Sequence, residues 1–178
     1  MEPAHLRFRR LLGPVHDPAR SFARGIARSR AEGDDLFQEA VLRALAKLDG
    51  LRDDAAFRPW LFRVIVNAHR NRCRRAFWRR LLPLGGEPPA SAPRTDDVLG
   101  GAERARLALA TLPSEQRETL VLFEIEGWQV DEIAALHGVS PSAVKSRLAR
   151  GRERLRQFYT RRFGATVPAA VLAGESTP

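Results

Sequence analysis

The 178-residue chain has one Cys, one Met and one Tyr, and against 28 Arg it has only two Lys, Lys47 and Lys145. A single Cys, Cys73, excludes an internal disulfide framework, and a reducing cytoplasm is the expected compartment. No stretch approaches the ~20 apolar residues that span a bilayer, and the opening residues lack the apolar core of a secretion signal. No run of alternating apolar and polar residues marks a strand. His5, His16, His69 and His137 are scattered, which rules out zinc-ligand spacing. A Gly-rich phosphate loop and a nucleophile elbow are also missing. Asp34, Asp35 and Glu39 could in principle hold Mg²⁺, since Asp35 and Glu39 share a helix face, but no further carboxylate motif follows them. No catalytic residue, metal or cofactor is expected.

What remains is the composition of an ordinary globular protein, 44% hydrophobic and 29% charged, with a net charge of +9. The length allows one domain or two small ones. The charge is unevenly placed. Residues 58–80 hold eight basic and no acidic residues, and 139–163 hold eight basic and one acidic. Residues 31–57 and 81–138 are net acidic. Two basic blocks separated by acidic stretches suggest two surfaces for a polyanion.

Residues 83–101 carry four Pro and four Gly, which no helix or central strand sustains, so they read as a linker. It separates an N-terminal unit, 1–82, from a C-terminal unit, 102–164, and residues 165–178 read as a flexible tail. Both units have a helical apolar period. Leu36, Phe37, Ala40, Val41, Ala44, Leu45 and Leu48 form one stripe, and Phe57, Trp60, Leu61, Val64, Ile65 and Ala68 another. A shorter stripe, Phe22, Ala23, Ile26 and Ala27, precedes them, and Trp60 reads chiefly as packing. The predicted fold is all-α in two small helical domains.

The sharpest signal is Val130–Arg150. A helix over about 130–136 stops at Gly138, Ser140 offers an N-cap oxygen, and Pro141 takes the first position of the next helix. This is the spacing of a helix-turn-helix, whose second helix enters the DNA major groove. At 100° per residue, Val144, Leu148, Gly151 and Leu155 face the core. Ser142, Lys145, Ser146, Ala149 and Arg150 lie opposite, where base edges and phosphates would be. Arg147, Arg152, Arg154 and Arg156 flank that face as phosphate contacts or solvated charge.

Asp34–Ala44 and Phe57–Asn67 resemble region 2 of extracytoplasmic-function (ECF) sigma factors, and Leu112–Leu122 with the helix-turn-helix and Lys145–Leu155 resembles their region 4. The resemblance covers roughly residues 20–160 and implies a dissociable promoter-specificity subunit of bacterial RNA polymerase. It implies that the helix bearing Asp35, Gln38 and Glu39 docks on the polymerase. It also implies that the loop Leu51–Ala56, with Leu51 and Asp53, and Asn67 capture an unstacked base of the −10 element. Arg70, Arg72, Arg74 and Arg75 continue that helix and suit the DNA backbone. Lys145, Ser146, Ala149 and Arg150 match the −35-reading positions. Core RNA polymerase, promoter DNA and an anti-sigma factor are the implied partners. The free chain is expected to be a cytoplasmic monomer without membrane insertion, held at the inner membrane only through an anti-sigma factor.

The chain departs from the family pattern at Leu45 and Leu51, where aromatics are usual, and at Asp53, where Gly is common. Pro59 stands in place of a small hydroxyl residue. Gln129 replaces the usual Ser/Thr cap, so Asp131 is expected to cap a helix that starts later. The competing reading is a conventional helix-turn-helix activator or repressor, which a second basic block and an acidic docking helix fit poorly.

Overall fold

Several helix ends in this chain are set by short polar side chains and glycines. In the computed structural model, which describes residues 2–81, 100–164 and 166–167, eight α-helices follow one another without a strand among the described residues. They are α1 (Ala4–Leu12), α2 (His16–Ile26), α3 (Arg30–Ala46), α4 (Phe57–Leu81), α5 (Gly101–Ala110), α6 (Ser114–Leu120), α7 (Val130–His137) and α8 (Pro141–Phe163). Ser29 caps α3 by accepting from the Glu32 N–H at 3.1 Å. Gly138, at φ 66°, ends α7 in the left-handed conformation that glycine adopts without strain. Ser140 then accepts from the Ala143 N–H at 3.2 Å and opens α8 with Pro141 in its first turn. α6 runs on into a π-helical turn, Val121–Ile125.

Three expectations change. α7 starts at Val130, because Glu132 reaches back to accept from the Gln129 N–H at 2.8 Å; Asp131 does not cap it. Gly101, assigned to the linker by composition, is the first residue of α5, and the rest of that linker up to residue 99 lies outside the described residues. Val167, assigned to the tail, is buried against the core, and the tail from 168 onward lies outside the described residues. No helix among the described residues is long and apolar enough to cross a membrane.

α2 and α3 cross so closely that a Cβ on Gly33 would lie 2.5 Å from the Arg24 Cα. Phe22, Ile26, Leu36, Leu61, Phe62 and Ile65 are almost fully excluded from solvent around that crossing, as are Leu120, Leu122, Ile133 and Leu155 in the C-terminal half. These are not two separate cores. Phe62 stacks on Phe22 at 5.1 Å and meets Trp128 of the C-terminal half at 4.9 Å, with the Arg58 guanidinium 4.8 Å over the indole. The burial is continuous across the junction.

Polar groups then fix how the halves meet. Arg117 is buried and donates to the carbonyls of Ile26 (2.7 Å), Leu112 (2.9 Å) and Ala110 (3.0 Å), tying the end of α2 to the α5–α6 turn. Carbonyls at helix ends have no partner in their own helix, which makes them acceptors for such a guanidinium. Burial pulls the Arg117 pKa below its ordinary value. Glu118, wholly buried in α6, accepts from His69 Nδ1 at 2.8 Å and from Arg70 Nη2 at 3.0 Å, both on α4. Arg63 donates to the Ala135 carbonyl at 3.0 Å.

Candidate nucleic-acid and polymerase-docking surfaces

On α8 the face arithmetic and the coordinates coincide. Val144, Leu148, Gly151 and Leu155 are buried, whereas Ser142, Lys145, Ala149 and Arg150 are exposed and Ser146 is half-buried. Gly151 lets α6 approach, since a Cβ there would sit 2.6 Å from the Leu120 Cδ1. The flanking arginines divide by partner. Arg147 donates to Glu115 at 3.0 Å, Arg152 to Glu124 at 2.8 Å and Arg156 to Glu153 at 2.8 Å. Lys145 and Arg150 make no ion pair among the described residues. They are cations held toward solvent on a helix whose position is fixed by the opposite face, which is how a base edge or phosphate is met.

The second basic block is more mixed than its charge count suggests. Asn67 is exposed on α4, at a concavity of about 490 Å³ lined by Arg43, Lys47, Val64, Arg70, Asn71 and Arg74. Two amides among four cations can read a base edge and hold its phosphate. Arg70, however, is turned inward to Glu118. Arg72 donates to Glu39 at 2.7 Å, so it braces α4 on α3. Arg74 donates to Asn71 Oδ1 at 2.8 Å, and Arg75 is exposed without an ion pair among the described residues. Of the four arginines expected on the DNA backbone, Arg74 and Arg75 are therefore presented, and Arg70 and Arg72 are spent on carboxylates that a charge count along the chain does not pair with them.

The loop before α4 is pinned from α1, whose Phe8, Leu11 and Leu12 recur at helical spacing and pack toward the core. Leu51 is buried, and its carbonyl accepts from Arg7 Nη2 at 2.8 Å; packing takes the side chain that was placed at the base-capturing loop. Asp53 is exposed but accepts from the Ala55 N–H at 2.9 Å, closing the turn into Asp54–Ala56. Arg7 donates to Asp54 at 2.6 Å, and these hydrogen bonds hold the Asp54 carboxyl below the usual range. Trp60 is half-buried at the core edge, 5.8 Å from Phe57, rather than in the interior.

On α3, Asp35 and Gln38 are exposed and share a stripe with Leu42, at 67% exposure, and Leu45, at 39%. Glu39 is the exception in the expected docking set, because it is held between Arg72 and Arg43. Asp34 is clamped by Arg24 and Arg20, each donating at 2.8 Å, which pulls its pKa down to about 2 and leaves it structural. Two exposed leucines in an acidic and amide frame make a surface for protein rather than for DNA.

Residues 11–79 match the family described as sigma-70 region 2, and residues 102–155 match sigma-70, region 4. The chain is 37% identical over 148 residues to the ECF RNA polymerase sigma factor SigM of Mycobacterium tuberculosis, covering 83% of this chain and 74% of that one. It is 32% identical over 148 residues to the RNA polymerase sigma factor CarQ of Myxococcus xanthus, covering 80% and 84%. Among solved structures it is similar to CnrH, seen in complex with the cytosolic domain of CnrY, with TM-score 0.60, 27% identity, and 95% and 89% coverage. Its fold is also that of the sigma factor RpoE in complex with the anti-sigma factor NepR from Bartonella quintana, with TM-score 0.70, 24% identity, and 95% and 98% coverage.

Proposed function

The chain belongs to the ECF RNA polymerase sigma factors of the sigma-70 family, promoter-specificity subunits that join core polymerase and direct initiation, and from that membership we propose which of its surfaces meet which partner. Ser142, Lys145, Ser146, Ala149 and Arg150 read the −35 element. Asn67, with Asn71 and Arg74 beside it, captures a base of the −10 element, with the exposed Asp53 of the loop before α4 as a second contact. The stripe Asp35, Gln38, Leu42 and Leu45 docks on the polymerase. The carrying observation is that Lys145 and Arg150 are exposed and make no ion pair among the described residues, on a helix locked by its other face. An anti-sigma factor completes the set of partners, a reading supported by the complexes in which RpoE and CnrH are found. The protein acts in the cytoplasm as a non-catalytic factor, without metal or cofactor.

Run-off transcription tests this reading. The chain should bind duplex promoter weakly alone and give promoter-specific transcripts only with core polymerase. Nanomolar, sequence-specific binding without polymerase would favour the conventional activator or repressor instead. Arg150→Ala should weaken initiation at the cognate −35 sequence by about 1–3 kcal/mol while leaving a scrambled −35 little changed. Equal loss on both sequences would make Arg150 a phosphate contact. Leu42→Asp should lower affinity for core polymerase roughly tenfold or more, measured by competition against a second sigma factor, because it buries a carboxylate in an apolar contact. Unchanged competition would remove this stripe from the docking surface.

A further inference from the structure

The loop between α3 and α4 owes its shape to a residue outside both helices. Leu51 and Phe57 are buried at its two ends, while Arg52 and Asp53 stand exposed between Leu51 and the half-buried Asp54. One nitrogen of α1 spans the exposed pair. Arg7 Nη2 donates to the Leu51 carbonyl at 2.8 Å and to Asp54 Oδ1 at 2.6 Å, and Nε donates to the same carboxylate oxygen at 2.9 Å. Arg10 donates to the other oxygen of Asp54 at 2.9 Å. The far end is packed from α1 as well, since Phe8 stands edge-on to Phe57 with ring centroids 5.7 Å apart.

Such a bridge fixes geometry in a way that apolar packing does not. A guanidinium is planar and its donors point in fixed directions, so a carbonyl and a carboxylate bound to it are set relative to one another. Leu51 and Asp54 flank Arg52 and Asp53, so holding both leaves the pair between them little backbone freedom. Asp53 accepts from the Ala55 N–H at 2.9 Å through one carboxylate oxygen, and its other oxygen has no hydrogen bond among the described residues. A carboxylate oxygen held in place accepts from the exocyclic amino group of cytosine or adenine and rejects a keto oxygen. The same oxygen on a loose loop shifts to suit whichever base is offered. Arg7 is itself largely buried, at 23% side-chain exposure, and spends Nε and Nη2 on the loop.

We infer that Arg7 is a positioning residue for −10 recognition: from α1 it holds residues 51–54 so that Asp53 meets its base in one geometry. The inference rests on Asp53 being a −10 contact. It brings α1 into promoter selection through the loop rather than through a contact of its own.

Run-off transcription by the holoenzyme tests this on two promoter panels, one with each base placed in turn at every −10 position and one varied in the same way at −35. Arg7→Ala should reduce base preference roughly fivefold or more at the −10 position that Asp53→Ala also flattens, and leave −35 preference within twofold. Arg7→Lys keeps the charge but not the fork, and should restore part of the preference. Arg10 reaches only Asp54 in the loop, so Arg10→Ala should leave the preference within twofold. If circular dichroism shows Arg7→Ala unfolded, Asp54→Ala cuts the bridge from the loop side and should give the same loss. An equal fall in output from every promoter would overturn the positioning role, because a merely structural loss does not choose among bases. Preference retained in both Arg7→Ala and Asp54→Ala would overturn it too. Asp53→Ala separates the premise from the inference. If it flattens the preference and Arg7→Ala does not, only the positioning is wrong; if neither does, the −10 role of the loop falls as well.

Discussion

Glu118→Ala should cost about 3–5 kcal/mol of stability near pH 6.5, the largest effect expected of any single truncation here. The carboxylate is fully buried at the junction of the two halves and receives His69 Nδ1 at 2.8 Å and Arg70 Nη2 at 3.0 Å. The neutral His137 ring stands 3.8 Å from it. Removing the anion takes away the acceptor of His69 Nδ1 and Arg70, drives buried His69 toward its neutral form, and leaves an empty volume that the surrounding helices fill only in part. Arg70, about a third exposed, can swing to water; His69 cannot. Glu118→Gln keeps the shape and one acceptor, and should lose about half as much. Urea unfolding measures the loss, and small-angle scattering shows its form. If the junction is the weakest part of the shared core, the variant expands by separating the halves before it unfolds. A change under 1 kcal/mol with no expansion would mean that the Phe62–Trp128 contact and Arg117 hold the junction without it.

That prediction could not have been drawn from the sequence, and the reason is physical. Glu118 lies in a polar run, Pro113–Thr119, that reads as a solvated helix face, and its partners are some fifty positions away in α4. Burial of a carboxylate is decided by what another segment brings to it. The same applies to Arg70 and Arg72, counted as free cations by position yet each placed opposite a carboxylate. Leu51 is a further case: its carbonyl is held by Arg7 of α1, forty-four positions away, which no local pattern shows. The helix-turn-helix was legible almost completely because its signals are local: a left-handed glycine, a serine cap, a proline in the first turn, and a period that places Val144 and Leu148 inside. α4 shows the boundary between the two cases. Its period was plain through Ala68, but that the helix runs unbroken to Leu81 was not.

Stability should be greatest near pH 6.5 and fall on both sides, because the two buried histidines at the junction are held in opposite charge states. Burial works against the His69 imidazolium, but hydrogen bonds to Cys73 and Glu118 outweigh it and raise its pKa to about 9. A raised histidine stabilises the fold fully below its ordinary 6.5, and that contribution is lost as pH climbs to 9, up to about 3 kcal/mol. His137 is the reverse case. Burial pushes its pKa down to about 4, against the pull of Glu118 and with Arg70 and Arg147 opposing a second positive charge. Arg147 Nη1 lies 3.3 Å from Nδ1 and can only donate, so the neutral ring carries its proton on Nε2, toward Glu118. Its contribution is complete above 6.5 and is lost as pH falls to 4, again up to about 3 kcal/mol, with Asp34 adding to the acid side below that. Denaturation midpoints from pH 4 to 9.5 should therefore trace a dome. His137→Phe should flatten its acid limb. Glu118→Ala should flatten the alkaline limb, since His69 then has no carboxylate to keep it charged. Cys73→Ala should shift that limb to lower pH, because the Cys73 Sγ, 3.5 Å from His69 Nε2, supplies the other half of the support. An alkaline limb that survives Glu118→Ala unchanged would show that His69 does not govern it.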